Sequence, residues 1–191
     1  GELARLGAID TAGSGLGGEL EGRLGIRGPL RSPELTFDFD RWRLELFGHT
    51  LVARPGARIV RRPAAWAIGG LALEEETNGT FFHLNGELHD QDGLALEVRS
   101  ELSADWLELA FTDLGPDFQP KPYGRLAFDG HLSGPPTLPS LSGRAELLGL
   151  SLALPGVEEG LRDLRGTVLF TPYHVDLGRL EGKLAGGQIR L

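Results

Sequence analysis

The chain contains no cysteine and no methionine. Without cysteine there is no disulfide, no thiolate metal ligand and no cysteine nucleophile. That absence assigns no compartment, although it suits an oxidising space in which stray pairing is avoided. With no methionine even at position 1, the 191 residues are expected to be a segment or processed product of a longer chain. Lysine is nearly missing too: 17 arginines and 2 lysines stand against 27 acidic residues, for a net charge of −8. Nucleic-acid binding needs a basic footprint, and peripheral adhesion to anionic lipid needs a polybasic face; neither dominates here. No apolar run reaches the roughly 20 residues that cross a bilayer as a helix, and no signal-peptide pattern is present. Membranes are therefore expected to be contacted only through parts outside this segment. Helical periodicity is also scarce. The best candidate, 157–164 ("VEEGLRDL"), carries Gly160 in its middle and predicts a turn or two at most.

What the chain does have is glycine, proline and alternation. Its 29 glycines and 12 prolines punctuate short apolar stretches without any collagen period, as in an all-β chain with many turns. Successive side chains of a strand point to opposite faces, so apolar residues two apart mark one-sided strands. Leu20, Leu24 and Ile26 alternate with Glu19, Glu21, Arg23 and Arg27. Leu35, Phe37 and Phe39 alternate with Thr36, Asp38 and Asp40, and the pattern resumes as Trp42, Leu44 and Leu46. Phe82, Leu84 and Leu88 follow, then Leu94, Leu96 and Val98, a weaker run at Leu107, Leu109 and Phe111, and then Leu126, Phe128 and Leu132. Leu150, Leu152 and Leu154 come next, followed by Val168 and Phe170 and finally Leu180 and Leu184. These runs predict about a dozen strands of ordinary length. "HDQDG" (89–93) reads as a hairpin turn. In 49–70, Pro55 and Pro63 rule out a long central strand and predict loops or edge strands.

The chain repeats itself imperfectly. "GPLRSPELT" (28–36) returns as "GPPTLPSLS" (134–142), with Leu20 and Ile26 matched by Leu126 and Leu132 at the same offset. "GGELEG" (17–22) is echoed by "GGQIRL" (186–191). Repeats are thus placed around 17–48 and 124–156, with a partial further copy at 178–191, in one fragment of a longer rod.

A sheet with one apolar face must bury it against another sheet, a helix or a ligand. No helical pattern is available. The ordinary solution is a closed sandwich or β-solenoid core. The alternative is a slot filled by acyl chains, which gain about 0.8 kcal/mol per CH₂ buried, or on the order of 20 kcal/mol for two chains. Glycines within strands (Gly22, Gly86, Gly130, Gly182) would allow sharp curvature or leave room for such a chain.

The Gly-x-Leu-x-Gly-x-Leu strand ("GELEGRLGIRG"), the Gly-Pro-x-x-x-Pro-x-Leu connection and the closing "GKLAGGQIRL" resemble the AsmA-like superfamily, and within it the TamB-type (DUF490-type) envelope proteins. The resemblance covers 17–48 and 124–191 best. It implies an elongated antiparallel sheet, built from repeats and curled into an open U-shaped trough (a β-taco) with an apolar interior. It further implies a lipid-transfer bridge in the periplasm that shields phospholipid acyl chains between inner and outer membranes. The parent protein would be anchored by an amino-terminal helix lying outside this segment and would meet a barrel partner in the outer membrane. On this reading the alternating apolar residues named above, excepting the run at 107–111, line the lipid groove collectively.

Candidates for chemistry are thin. His83, His89, Asp90 and Asp92 offer no third or fourth ligand at fixed spacing, so neither zinc nor calcium is expected. Glu74 to Glu76 read as a charged strand end, and Ser14 in "AGSGLGG" as a connection rather than a nucleophile or phosphate loop. Arg54, Arg58, Arg61 and Arg62 form the one basic cluster, either a solvated loop or a rim meeting phosphate headgroups. Trp42, Trp66 and Trp106 read as core anchors. No enzyme and no cofactor are expected. The rival readings are a structural β-solenoid or β-sandwich stalk of a cell-surface or adhesin-like protein, and a carbohydrate-active β-fold with two carboxylates in a cleft.

Overall fold

A computed structural model describes residues 9–11, 16–29, 31–46, 48–108, 121–153 and 159–190. They form β1 (Ile9–Thr11), β2 (Leu16–Arg27), β3 (Glu34–Leu46), β4 (His49–Ala53), β5 (Arg58–Arg62), β6 (Ala65–Glu75), β7 (Phe81–His89) and β8 (Gly93–Ser103). A 3-10 turn at Ala104–Leu107 precedes β9 (Lys121–Gly134), β10 (Ser140–Ala153), β11 (Leu161–Phe170), β12 (Val175–Leu184) and β13 (Gly187–Arg190). The fold is all-β and antiparallel, as the alternation and the scattered glycines dictate. Among the described residues of 157–164 no helix forms: Glu159 is a bend and Leu161–Leu164 open β11. The run at Leu109 and Phe111, together with Ser14 and Leu154, lies outside the described residues. No helix among them is long and apolar enough to cross a membrane.

Two compact units divide the chain. The first holds residues 1–99 and 131–140, the second 100–130 and 141–191. In the first, the strands follow the order β1-β2-β3-β4-β6-β7-β8, with β5 paired to β3 and β6.

The segment 49–70 takes a form that the prolines only half predicted. β4 pairs with Arg43–Leu46 of β3, and β5 pairs with Leu35–Asp38 of the same strand. Both pair on their other side with β6, β4 at Leu73–Glu75 and β5 at Ala65–Gly69. Together they fill the place of one interior strand that is broken around Pro55. Proline has no N–H for a ladder, so the chain leaves the sheet there and returns at Ala57, whose carbonyl accepts from the Phe39 N–H at 3.1 Å.

The two "GP" connections share one geometry. Gly28 and Gly134 both take left-handed φ, 91° and 90°. The Ser32 N–H donates to the Pro29 carbonyl, and the Leu138 N–H to the Pro135 carbonyl, each at 3.0 Å. In each turn the proline supplies the accepting carbonyl, and the glycine before it adopts a left-handed φ without strain.

In the second unit the order is β9-β10-β11-β12-β13. Its core gathers Ala145, Val168 and Leu180, with Leu126, Phe128, Leu147, Leu164 and Phe170 packed against them. Phe128 and Phe170 meet edge to face at 6.1 Å.

Candidate functional site: the apolar faces

Residues paired across an antiparallel ladder share a face, so the register assigns each side chain to one side. In the first unit Leu20 pairs Trp42, Gly22 pairs Phe39, Leu24 pairs Phe37 and Ile26 pairs Leu35. Between Glu21↔Arg41 and Gly22↔Phe39 the register shifts by one, leaving Asp40 as an extra residue. This bulge is decisive. Without it, Phe39 and Trp42 would face opposite ways, being an odd number of residues apart. With it, Leu35, Phe37, Phe39, Trp42, Leu44 and Leu46 all lie on one face. The Phe39 and Trp42 rings pack at 5.3 Å between centroids.

The face continues strand by strand. Phe37 pairs Ile59, which pairs Ile68, which pairs Gly86. A neighbouring row runs Leu35, Arg61, Trp66 and Leu88, and Trp66 stacks on Phe37 at 6.2 Å. A second shift, at Gly69–Gly70 of β6, restores phase again, so that Leu71 pairs Leu84 and Leu73 pairs Phe82. Leu96 of β8 is buried, while Leu94, Val98 and Leu132 are half-buried. Most of this face is only partly covered: among the described residues Leu51 is the one large apolar side chain with less than 2% of its surface exposed. Ile26, at the face's end, is 65% exposed.

Gly22, Gly86 and Gly130 do not leave empty slots. A Cβ on Gly22 would stand 2.5 Å from the Asp38 carbonyl oxygen and 3.2 Å from Phe39 Cα. The neighbouring backbone occupies that space, so this glycine serves close strand approach. Gly86 and Gly130 are crowded in the same manner, by the Ala95 and Ser142 carbonyls.

Polar groups bound the face. Leu51 pairs Glu75, which places a carboxylate on the greasy side, 6% exposed and 3.0 Å from His49 Nδ1. The Thr77 hydroxyl also donates to it at 3.3 Å. Sequence reasoning missed this pair. Glu75 sits in a triplet of glutamates that looks solvated, and the only signal for it was its parity with Leu71 and Leu73. Its neighbour Glu74 does point outward, to Arg54 at 2.5 Å. At the opposite end Arg61 makes a bidentate pair with Asp90, at 2.9 and 2.8 Å.

The basic cluster is neutralised. Arg58 Nε donates to Asp38 at 2.6 Å, and Arg62 reaches Glu34 at 3.8 Å and Glu87 at 3.3 Å. Arg54 and Arg61 are paired as well, so each of the four has a carboxylate partner. His83 and His89 share the polar face, His89 at 3.1 Å from Glu87, and no group of three potential metal ligands occurs among the described residues.

The apolar face of the second unit is built by the same rule. Ala145 pairs Val168, Leu147 pairs Gly166, Leu150 pairs Leu164 and Leu152 pairs Leu161. A shift at Gly149 changes the phase between Leu147 and Leu150. Simple alternation read backward from Leu150 would have included Leu148, which instead pairs Arg165 on the other face and is 45% exposed. Leu180 pairs Gly166 and Leu184 pairs Leu161, joined on this face by Leu177 and Val175. Of the alternating residues, Leu126, Phe128, Val168, Phe170 and Leu180 gather in this unit's core and Leu150 is buried, together with Ala145, Leu147 and Leu164, which alternation did not name.

No protein-family model, curated protein or solved structure matches the chain.

Proposed function

We propose that this chain is a segment of a lipid-transfer bridge in which phospholipid acyl chains lie along the apolar sheet faces. The carrying observation is the continuous set of apolar rows across β2 to β7, most of it only half-buried. A face closed against a second sheet would bury its large side chains, whereas here Phe37, Trp42, Leu44, Ile59, Trp66 and Ile68 are half-buried beside the buried Phe39, Leu51, Leu71 and Leu73. Acyl chains supply the missing layer at about 0.8 kcal/mol per CH₂. The two bulges that restore phase support this reading, because each keeps aliphatic and aromatic groups on the same side.

The proposal extends to architecture and place. The sheet would curl into an open U-shaped trough repeated along a rod, and the matching turns at Gly28 and Gly134 favour such repetition. It would stand in the periplasm between two membranes, carrying lipid without a catalytic residue or cofactor.

A photo-crosslinking amino acid placed in turn at Phe37, Asp38, Arg41 and Trp42, in cells with labelled phospholipid, tests the reading. Capture is expected at 37 and 42 and not at 38 or 41. Absence of capture at all four in a folded protein would assign the face to a closed core and favour a structural stalk.

A further inference from the structure

One end of the first unit's apolar face carries a charged residue among greasy ones. The row reads Ile26, Leu35, Arg61, Trp66 and Leu88 across five strands. Arg61 lies over the Trp66 ring at 5.3 Å. Its Nη1 and Nη2 donate to the two Asp90 oxygens, and Nη2 also approaches the Pro63 carbonyl at 3.5 Å. Nε enters none of these bonds. The pair remains reachable from solvent, with side chains 25% and 46% exposed. Asp90 is held in place by its own N–H, which donates to the Ala64 carbonyl at 3.0 Å.

The surroundings set the sign of what this pair can accept. Arg62 is taken up by Glu34 and Glu87. Asp92 follows Asp90 two residues on, in the same turn. Arg62 and its two partners lie on the polar face, so at this end of the apolar face Arg61 has beside it the turn that carries Asp90 and Asp92, a local excess of negative charge. An anionic headgroup would meet repulsion here. A group carrying both charges can place its phosphate against the spare guanidinium donor and its ammonium against Asp90. Tryptophan suits the boundary between acyl chain and headgroup, having an apolar body and one polar edge.

We propose that Arg61 and Asp90 over Trp66 form a headgroup clamp selecting zwitterionic, amine-bearing phospholipids over anionic ones. This rests on the lipid-groove reading and names the class of lipid taken at that end. Acyl chains run from Trp66 over Phe37 and Ile59, while the headgroup stays at the rim and no charge is buried.

The test offers the purified protein vesicles holding equal amounts of ethanolamine and glycerol phospholipids with identical acyl chains. Bound lipid is then quantified by mass spectrometry after re-isolation. The ethanolamine lipid is expected to be enriched about fivefold, the ratio that an exposed charge pair supports. Asp90→Asn, and independently Arg61→Gln, are expected to bring the ratio near one. Equal uptake by the unaltered protein overturns the clamp and leaves the groove standing. An undiminished preference in both variants overturns the assignment to this pair. Uptake of neither lipid overturns the groove reading itself.

Discussion

Phe39 and Trp42 stand three residues apart in one strand, yet their rings pack at 5.3 Å on the same face. Asp40 is the extra residue that turns the chain between them, and everything after it in β3 depends on that turn. Deleting Asp40 is expected to send Trp42, Leu44 and Leu46 to the polar side. Asp40→Ala keeps the residue count and loses only an exposed contact with Arg23 at 3.3 Å. Urea unfolding of the two variants checks this. The deletion should abolish the cooperative transition or lower its midpoint sharply, and the substitution should leave it close to that of the parent protein.

Gly22 is required by the approach of β3. Gly22→Ala brings a methyl group against the Asp38 carbonyl, which belongs to a paired backbone and cannot swing aside. A loss of about 1–3 kcal/mol is expected, as for other overpacked sites. Gly25→Ala is the comparison, since its Cβ would stand 3.7 Å from that of Thr36, an ordinary contact. Chemical denaturation of both should separate them clearly.

The hydrogen bond between His49 and Glu75 joins two ionisable side chains on the apolar face, Glu75 being 6% exposed. Removing one partner takes a part-buried hydrogen bond from the other, at a cost of about 0.5–1.5 kcal/mol. Glu75→Ala and His49→Ala are each expected to destabilise, and the double variant to cost less than their sum. Strict additivity in the four-cornered cycle would deny the coupling.

Acid sensitivity should be traceable to Asp90. The hydrogen bond from Arg61 lowers its pKa below the ordinary 3.8, against the opposing effect of desolvation, with the charges of Arg61 and His89 helping. A carboxyl with a lowered folded-state pKa adds stability above its unfolded value and loses it as pH falls through the folded one. The contribution is therefore complete at neutral pH and disappears below about pH 4. Asp90→Asn should flatten that part of the acid limb in a pH series of melting temperatures, and leave the remainder of the curve parallel.

Much was determined by the sequence alone. Alternation at Leu20 to Ile26 and at Leu35 to Phe39 required one-sided strands, because side chains in extended backbone alternate whatever the strand pairs with. Punctuation by glycine and proline excluded long helices, and "HDQDG" required a turn, which the chain makes between β7 and β8. The likeness of "GPLRSPEL" and "GPPTLPSL" became one shared turn geometry, since backbone preferences at glycine and proline are local.

Tertiary structure decided the rest. A bulge adds one residue to one strand and shows only against a partner, so nothing in "FDFDRW" or "LLGLSL" announced which residue would be extra. Hence Trp42 keeps the face of Phe39, and Leu147 rather than Leu148 shares the face of Leu150. The split of 49–62 into two short strands filling one interior position required β3 and β6 to be present on both sides. Glu75 became a buried group only because Leu51, 24 residues earlier, pairs directly with it. Side-chain direction is a property of the single strand, whereas register, phase and burial belong to the pair.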